Sequence, residues 1–194
     1  MRNRLNKQEK LFFIKLILSV LLIGGCIFLK TIYRELTPSQ MKWLITPVTL
    51  WVELSTGKQF FFDPATGYRS MDGSILISKS CSGINLLILT SLIGIIYANR
   101  QTRESLSFIK KVSLTLILSY ILTLLSNVIR INASLFFLPF TPMNPLFHQT
   151  DQWYHLVIGT FVYLFFIALF YILIQFFHSP GDFINKIKGR LIHK

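Results

Sequence analysis

Three side chains in the sequence have the types that acyl transfer requires: Cys81, Arg130 and His155. A cysteine attacks carbonyl carbons as its thiolate. A histidine gives a proton to a leaving amine and takes one from an incoming nucleophile at neutral pH. An arginine donates hydrogen bonds to an oxyanion, or holds a substrate carboxylate. Because about 75 positions separate the first from the last, the chemistry depends on the elements that bring them together.

Two neighbouring groups fit the same chemistry. Ser82 and Gly83 follow the cysteine at the predicted start of a helix, where the helix dipole favours a thiolate. Asp151 lies four residues before His155, so it could accept a hydrogen bond from the imidazole and orient it. A plain helix N-terminal charge is an equally good interpretation of this aspartate. His148 competes with His155 for the role of the base.

The composition indicates an integral membrane protein. The chain is 52% hydrophobic and 14% charged, and its mean hydropathy is +0.54. The apolar residues form long runs, as in chains that have lipid as their solvent. The net charge of +12 comes from bases that flank these runs, which indicates membrane orientation and argues against nucleic-acid binding. Cys26 lies within an apolar run, and two cysteines are too few for a disulfide framework.

The runs predict an all-α integral membrane protein of about four transmembrane helices in one transmembrane domain, residues 1–194. Each run is long enough for a hydrocarbon core of about 30 Å. The first is predicted to be a permanent anchor because it lacks a clear signal-peptide cleavage site. A fifth stretch, Trp43 to Leu54, is short and contains Pro47, so it predicts an interfacial or re-entrant helix in the first outer loop. The predicted spans are about 11–29, 81–98, 112–129 and 153–177.

The basic residues predict the orientation. They concentrate in the N-terminal flank, the loop between the second and third spans, and the C-terminal tail, whereas positions 131–152 contain none. The positive-inside rule then places both termini in the cytoplasm and positions 31–80 and 131–152 outside. Cys81, Arg130 and His155 consequently meet at one outer depth of the cell membrane. Ionisable residues at the edge of lipid are candidates for a functional site.

These residues also carry a family resemblance. Ser80-Cys81-Ser82-Gly83 resembles the Cys-(Ser/Ala)-Gly motif of exosortases and archaeosortases. Asn127-Val128-Ile129-Arg130 resembles their Asn-x-x-Arg segment, and His155-Leu156-Val157-Ile158-Gly159 resembles their His-x-x-x-Gly motif. The three motifs occur in the family order over about positions 75–165. The short chain resembles small members such as exosortase K.

The resemblance implies a cysteine peptidase or transpeptidase that acts on exported proteins. The substrate would carry a C-terminal sorting signal, which consists of a short motif, a transmembrane helix and a basic tail. Cys81 would cleave beside the motif, form a thioester and transfer the chain to an acceptor at the cell envelope. Arg130 and His155 would complete the catalytic set, with Asn127 among the supporting residues. Beyond this substrate and membrane lipid no partner is implied, and no metal or organic cofactor is needed.

Two other functions stay open. In the first, His148, Asp151 and His155 bind zinc in a membrane metalloprotease, since their spacing of three and four residues suits a helix. Inhibition by a chelator but not by a thiol alkylator would favour it. In the second, the protein is a non-catalytic membrane scaffold or a transporter-associated subunit. It would then tolerate alanine at Cys81, Arg130 and His155.

Overall fold

A computed structural model describes the backbone of residues 2–101, 105–137 and 150–178. Within these ranges, the description excludes the side chains at positions 2–8, 10, 11, 101, 105, 106, 150–155 and 178. All statements below concern the described part of the chain.

The prediction of an all-α membrane protein with four spanning helices is confirmed. Four helices are long and apolar enough to cross a membrane, and their spanning segments are Phe12–Ile32, Lys79–Arg100, Ser107–Phe137 and Leu156–Phe177. The protein is therefore a multi-pass membrane protein. Its helices are α1 (Arg2–Ile32), α2 (Lys42–Thr56), α3 (Ile84–Gln101), α4 (Ser105–Phe137) and α5 (Thr150–His178).

Helix α4 is the centre of the bundle, with α2, α3 and α5 packed against it. Its long buried face carries small polar side chains, among them Thr115, Ser119, Thr123 and Ser126. Small residues let helices approach closely in a membrane, where lipid removes the hydrophobic driving force. Helix α1 packs mainly on α3 and exposes most of its apolar surface, as expected for a lipid-facing helix.

The short helix predicted around Pro47 is found as α2. Met41 at its start and Leu44, Ile45, Val48 and Val52 within it are buried, whereas Trp43, Leu50, Trp51 and Leu54 form an exposed apolar face. Proline has no N–H, so the Trp43 carbonyl four residues earlier loses its helical partner. The Tyr120 hydroxyl of α4 donates to that carbonyl at 2.7 Å. Ser55 at the other end of α2 donates to Asn132 Oδ1 at 3.0 Å.

A small antiparallel sheet follows α2, and the sequence analysis did not predict it. Its strands are β1 (Phe60–Asp63), β2 (Gly67–Ser70) and β3 (Leu76–Ile77), in the spatial order β1-β2-β3. Strands of two to four residues are too short for an alternating pattern to be recognised. The β2–β3 turn is held by Asp72, which accepts from Ser70, Ser74 and the Lys58 ammonium, the last at 2.6 Å.

Candidate active site at one end of the bundle

Cys81 lies on a 3₁₀ turn, Lys79–Ser82, that immediately precedes α3. Gly83 ends this turn with a φ of +68°, a left-handed conformation that favours glycine. Cys81 is half-buried and forms no disulfide, and it borders a cavity. Ser82 is fully buried, and its hydroxyl has no hydrogen-bond partner in the described chain. The turn therefore directs Cys81 to the cavity and Ser82 into the protein.

Gly83 and Asn127 hold α3 and α4 together beside the cysteine. A Cβ added to Gly83 would overlap Asn127 Nδ2 and would lie 2.9 Å from Thr123 Cγ2. Asn127 is fully buried and donates to the Thr123 carbonyl at 3.0 Å. The Cys-Ser-Gly segment and the Asn-x-x-Arg segment are thus in direct contact, and only a glycine fits between them.

Arg130 bridges the Cys81 turn and α5. Its Nη1 donates to the Tyr163 hydroxyl at 3.1 Å, and its Nη2 donates to the Ser80 carbonyl at 3.5 Å. No carboxylate pairs with this guanidinium among the residues described. A guanidinium has five N–H donors, so Arg130 retains donors for an anionic or carbonyl group in the cavity. Gly159 lies beside its aliphatic chain, since an added Cβ would be 3.2 Å from Arg130 Cδ.

Tyr163 is a site residue that the sequence analysis missed. Its half-buried hydroxyl accepts from Arg130 and lies 3.5 Å from Asn127 Oδ1, so it connects two of the predicted residues. The available signal was its spacing, because Tyr163 lies four residues after Gly159 and eight after His155. Residues four apart share a helix face, so a hydroxyl continues the predicted α5 motif one turn deeper.

Helix α1 holds the cysteine turn from the other side, and this contact was also not predicted. The Tyr33 hydroxyl donates to the Lys79 carbonyl at 3.0 Å. Lys79 Nζ in turn donates to the carbonyls of Arg34 at 2.9 Å and Leu36 at 3.0 Å, just beyond the end of α1. These carbonyls lack helical partners, and a cation near a helix C-terminus is favourable. The Cys81 turn is therefore fixed between α1 and α4.

The cavity has a volume of about 540 Å³, which is within the usual size range of ligand sites. Its polar lining consists of Cys81, Arg130 and four serines, two of them in the segment between β3 and the cysteine. Its apolar lining comes from three elements, α4, α5 and the β3 region: Ile75, Leu76, Ile77, Ile131, Leu135 and Leu156. An apolar cavity with few convergent polar groups is typical of a binding site.

The remaining predicted residues are only partly described. His155 and Asp151 belong to α5, but their side chains lie outside the described set. The His155 backbone directly precedes Leu156 of the cavity lining and lies one turn before Gly159. His148 lies outside the described residues. No group of three His, Cys, Asp or Glu side chains that could hold a metal is found in the described chain, and the residues of the proposed zinc site are not in that set.

Comparison with known families shows the family of the chain. The sequence model of the transmembrane exosortase family matches residues 9–172, which is most of the chain. The chain belongs to the transmembrane exosortase family. Exosortase membership indicates a membrane protein with a peptidase or transpeptidase role, while the assignment to exosortase K stays a prediction. No curated protein and no solved structure matches the chain.

Proposed function

We propose that this exosortase-family protein is a cysteine transpeptidase that cleaves the C-terminal sorting signal of exported proteins. The observation that carries the proposal is the cavity shared by Cys81 and Arg130, which come from different helices. A thiol and a guanidinium with unused donors then face one apolar space. Such a space admits a peptide, and it strengthens electrostatic interactions by excluding water.

The proposed reaction has two halves. In the first, the Cys81 thiolate attacks the scissile carbonyl carbon, and Arg130 stabilises the negative oxygen of the tetrahedral intermediate. The C–N bond breaks as His155 gives a proton to the leaving amine, which leaves a thioester on Cys81. In the second, an acceptor amine, hydroxyl or water attacks the thioester and loses its proton to His155. The Cys81 thiolate then leaves, and an amide, an ester or a free acid is the product.

The proposed topology places this reaction at the outer face of the cytoplasmic membrane. Both termini are in the cytoplasm, following the distribution of Lys and Arg. A sorting signal with its own transmembrane helix would lie beside the bundle, and its scissile bond would be just outside the lipid. Alkaline phosphatase fused to the C-terminus should be inactive under this topology, and an active fusion would overturn it.

The test is a processing assay with an exported reporter. The reporter carries a C-terminal motif, apolar helix and basic tail taken from an exported protein of the same genome, and a panel of such tails is screened. We expect the wild type to remove the tail from at least one reporter, and Cys81→Ala and Cys81→Ser to leave it intact. Serine is expected to fail because it needs a stronger base than cysteine does at neutral pH. The mass of the new C-terminus identifies the acceptor.

Two controls make the result decisive. Cys26→Ser removes the other cysteine of the chain, which does not line the cavity. This variant should process the reporter like the wild type. Immunoblotting of membranes establishes that each variant is present at the wild-type level. Equal processing by Cys81→Ala and the wild type would overturn the proposed thiol mechanism.

A further inference from the structure

The two edges of the small sheet have different surroundings. At the β1 edge, the Phe60 N–H donates to Glu53 Oε1 of α2 at 2.9 Å. The Lys42 ammonium of α2 also lies 3.9 Å from the Phe62 ring centroid. At this edge the Phe60 backbone donor is therefore already paired with α2. At the opposite edge, β3 borders the cavity that contains Cys81.

Backbone donors and acceptors of β3 point to that cavity. Ser70 and Ile75 lie opposite each other where β2 turns into β3, and the Ser70 N–H donates to the Ile75 carbonyl at 3.0 Å while the Ile75 N–H donates to Ser70 Oγ at 2.9 Å. Bonded and non-bonded pairs alternate in an antiparallel ladder. Leu76, paired with Arg69, is therefore in a non-bonded pair. Its N–H and C=O consequently point away from β2, and no other backbone partner of Leu76 is found in the described chain.

The cavity runs along the β3 edge and not over one face of the sheet. All five residues from Ser74 to Ser78 line it. Side chains alternate between the two faces of a strand, and indeed Ile75 and Ile77 are buried while Leu76 is 45% exposed. Only a space beside the edge contacts residues of both faces in succession. The far wall is an apolar face of α4, formed by residues such as Ile131 and Leu135.

We infer that β3 is the docking strand for the sorting motif, which binds as an additional antiparallel or parallel strand and leads its scissile bond to Cys81. This inference rests on the proposed function. The occupant is an extended peptide because only an extended chain satisfies the free N–H and C=O groups of a strand edge. The same cavity continues from β3 to Cys81, so a peptide bound at the edge reaches the thiol without leaving it.

The sheet is built to present this edge in one position. Lys58 and two serines fix the β2–β3 turn through Asp72. Gly67 admits the close approach of the Ile77 carbonyl, which a Cβ there would overlap. A fixed edge lowers the ordering cost of binding. Main-chain pairing then contributes affinity, and the side chains on the α4 wall contribute selectivity.

The first test removes the outward N–H of Leu76, with a second substitution as the control for the change of side chain. Leu76→Pro deletes a donor that β2 does not use, and edge strands accept proline at such positions. We expect about a tenfold rise in the KM of reporter processing with kcat nearly unchanged, as for the loss of one peptide hydrogen bond. Leu76→Val keeps the N–H and should change KM less than about threefold, since a small apolar truncation costs little. Unchanged alkylation of Cys81 in both variants establishes that the site is intact.

The second test maps the bound peptide. The protein carries Leu76→Cys with Cys81→Ala and Cys26→Ser, and single cysteines are placed at successive positions of the reporter motif. Disulfide cross-links are expected at alternate positions, because every second side chain of a paired strand lies on the Leu76 face. Cross-links at every position, or at intervals of three to four, would contradict docking as a strand.

The outcomes separate the two proposals. Processing by Cys81→Ala overturns the proposed function itself. Loss of processing in Cys81→Ala combined with wild-type KM in Leu76→Pro overturns only the docking strand. A third outcome is a cross-link from Leu76→Cys to a cysteine placed in positions 138–149 of the same chain. If it forms equally with and without the reporter, the β3 edge binds a segment of this chain, and the docking strand is overturned as well.

Discussion

The α3–α4 pair uses a close glycine contact at two levels, and the two levels differ in what surrounds that contact. At the outer level Gly83 meets Asn127, beside a cavity and the Arg130–Tyr163 hydrogen bond. Deeper in the bundle, Gly94 meets Thr115, and a Cβ there would also lie 3.3 Å from Phe170 Cζ. Both contacts bring two backbones together, but only the outer one opens onto a space that a substrate could enter.

The comparison shows that close packing alone does not make a site. The deep level continues into a closed apolar cluster of Ile95, Ala98, Phe108 and Val112. Such a cluster stabilises helix association by packing. The outer level instead places a thiol and a guanidinium against a cavity while the glycine contact keeps them in register. A close glycine contact therefore stabilises the helix pair at the deep level and positions Cys81 and Arg130 at the outer level. Substitutions at the two levels should separate these two roles.

The largest expected effect separates Cys81, at the outer level, from Cys26, which lies in α1 and belongs to neither level. Cys81→Ala should lower reporter processing by at least about 1000-fold, because the nucleophile is removed. Cys26→Ala should stay within about twofold of the wild type, since Cys26 packs within α1, away from the cavity. The measurement is the rate of tail removal in isolated membranes. A comparable loss of processing in both variants would contradict a special role for Cys81.

Alanine at the two glycines tests the comparison directly. Gly83→Ala forces a side chain into a positive-φ position and against Asn127, and a displaced Cys81 turn should lower activity about 100-fold. Gly94→Ala should lower the stability in detergent by about 1–3 kcal/mol through overpacking and leave the activity of the folded protein within about threefold. Thermal unfolding and processing are measured on the same samples. The reverse pattern would contradict the assignment of roles.

Replacement of the guanidinium tests the polar part of the outer level. Arg130→Lys keeps the charge but loses planar donation to two partners, and we expect about a 30-fold loss in kcat. The matched control is Arg100→Lys, an exposed residue at the other end of α3, which should have no effect. A wild-type kcat in Arg130→Lys would show that only the positive charge of this arginine matters, and not its planar set of donors.

Removal of the Tyr163 hydroxyl should have a smaller effect. Tyr163→Phe removes the hydroxyl that accepts from Arg130 Nη1. We expect about a fivefold loss in kcat with KM little changed, as for one positioning hydrogen bond. Tyr171→Phe on the exposed part of α5 is the control. Because a merely structural tyrosine would alter stability and not kcat, unchanged kcat with a lower melting temperature would refute the positioning role.

The smallest effect is expected at the β2–β3 turn. The hydrogen bond from Lys58 holds the pKa of the Asp72 carboxyl well below its usual range, and those from Ser70 and Ser74 add to it. A lowered folded-state pKa gives stabilisation that is complete above the unfolded value of about 4 and is lost only in more acidic solution. Asp72→Asn should therefore speed amide exchange at Ser74 about threefold, by the same ratio at pH 6 and pH 8. If the ratio of the exchange rates in Asp72→Asn and the wild type were different at pH 6 and at pH 8, the low pKa of Asp72 would not explain the effect.

The control for that turn is the other turn of the sheet. Hydrogen bonds from Thr66 and the Ala65 N–H lower the pKa of Asp63 in the β1–β2 connection. Asp63→Asn should speed exchange at Ala65 and leave Ser74 unchanged. Faster exchange at both turns in either variant would indicate that the sheet opens as one unit.

The spans and the shared position of Cys81 and Arg130 could be predicted from the sequence because they depend on long-range averages. An apolar run of 20 residues and a bias in Lys and Arg are strong signals. The sheet could not be predicted, since its strands are two to four residues long. The Tyr163 contact and the Lys79 contact were also missed, because both depend on which side chains meet across helices. The roles of His155 and Asp151 stay predictions.

The contact of Lys79 and Tyr33 with the end of α1 has a consequence for how the protein is made. The first helix emerges from the ribosome before the cysteine turn, and most of its apolar surface is exposed in the described chain. The carbonyls of Arg34 and Leu36, just beyond the end of this helix, accept hydrogen bonds from the ammonium of Lys79. This lysine is translated more than forty positions later. The Lys79–Ser82 turn that carries Cys81 therefore gains these hydrogen bonds only after both the first and the second span have been synthesised.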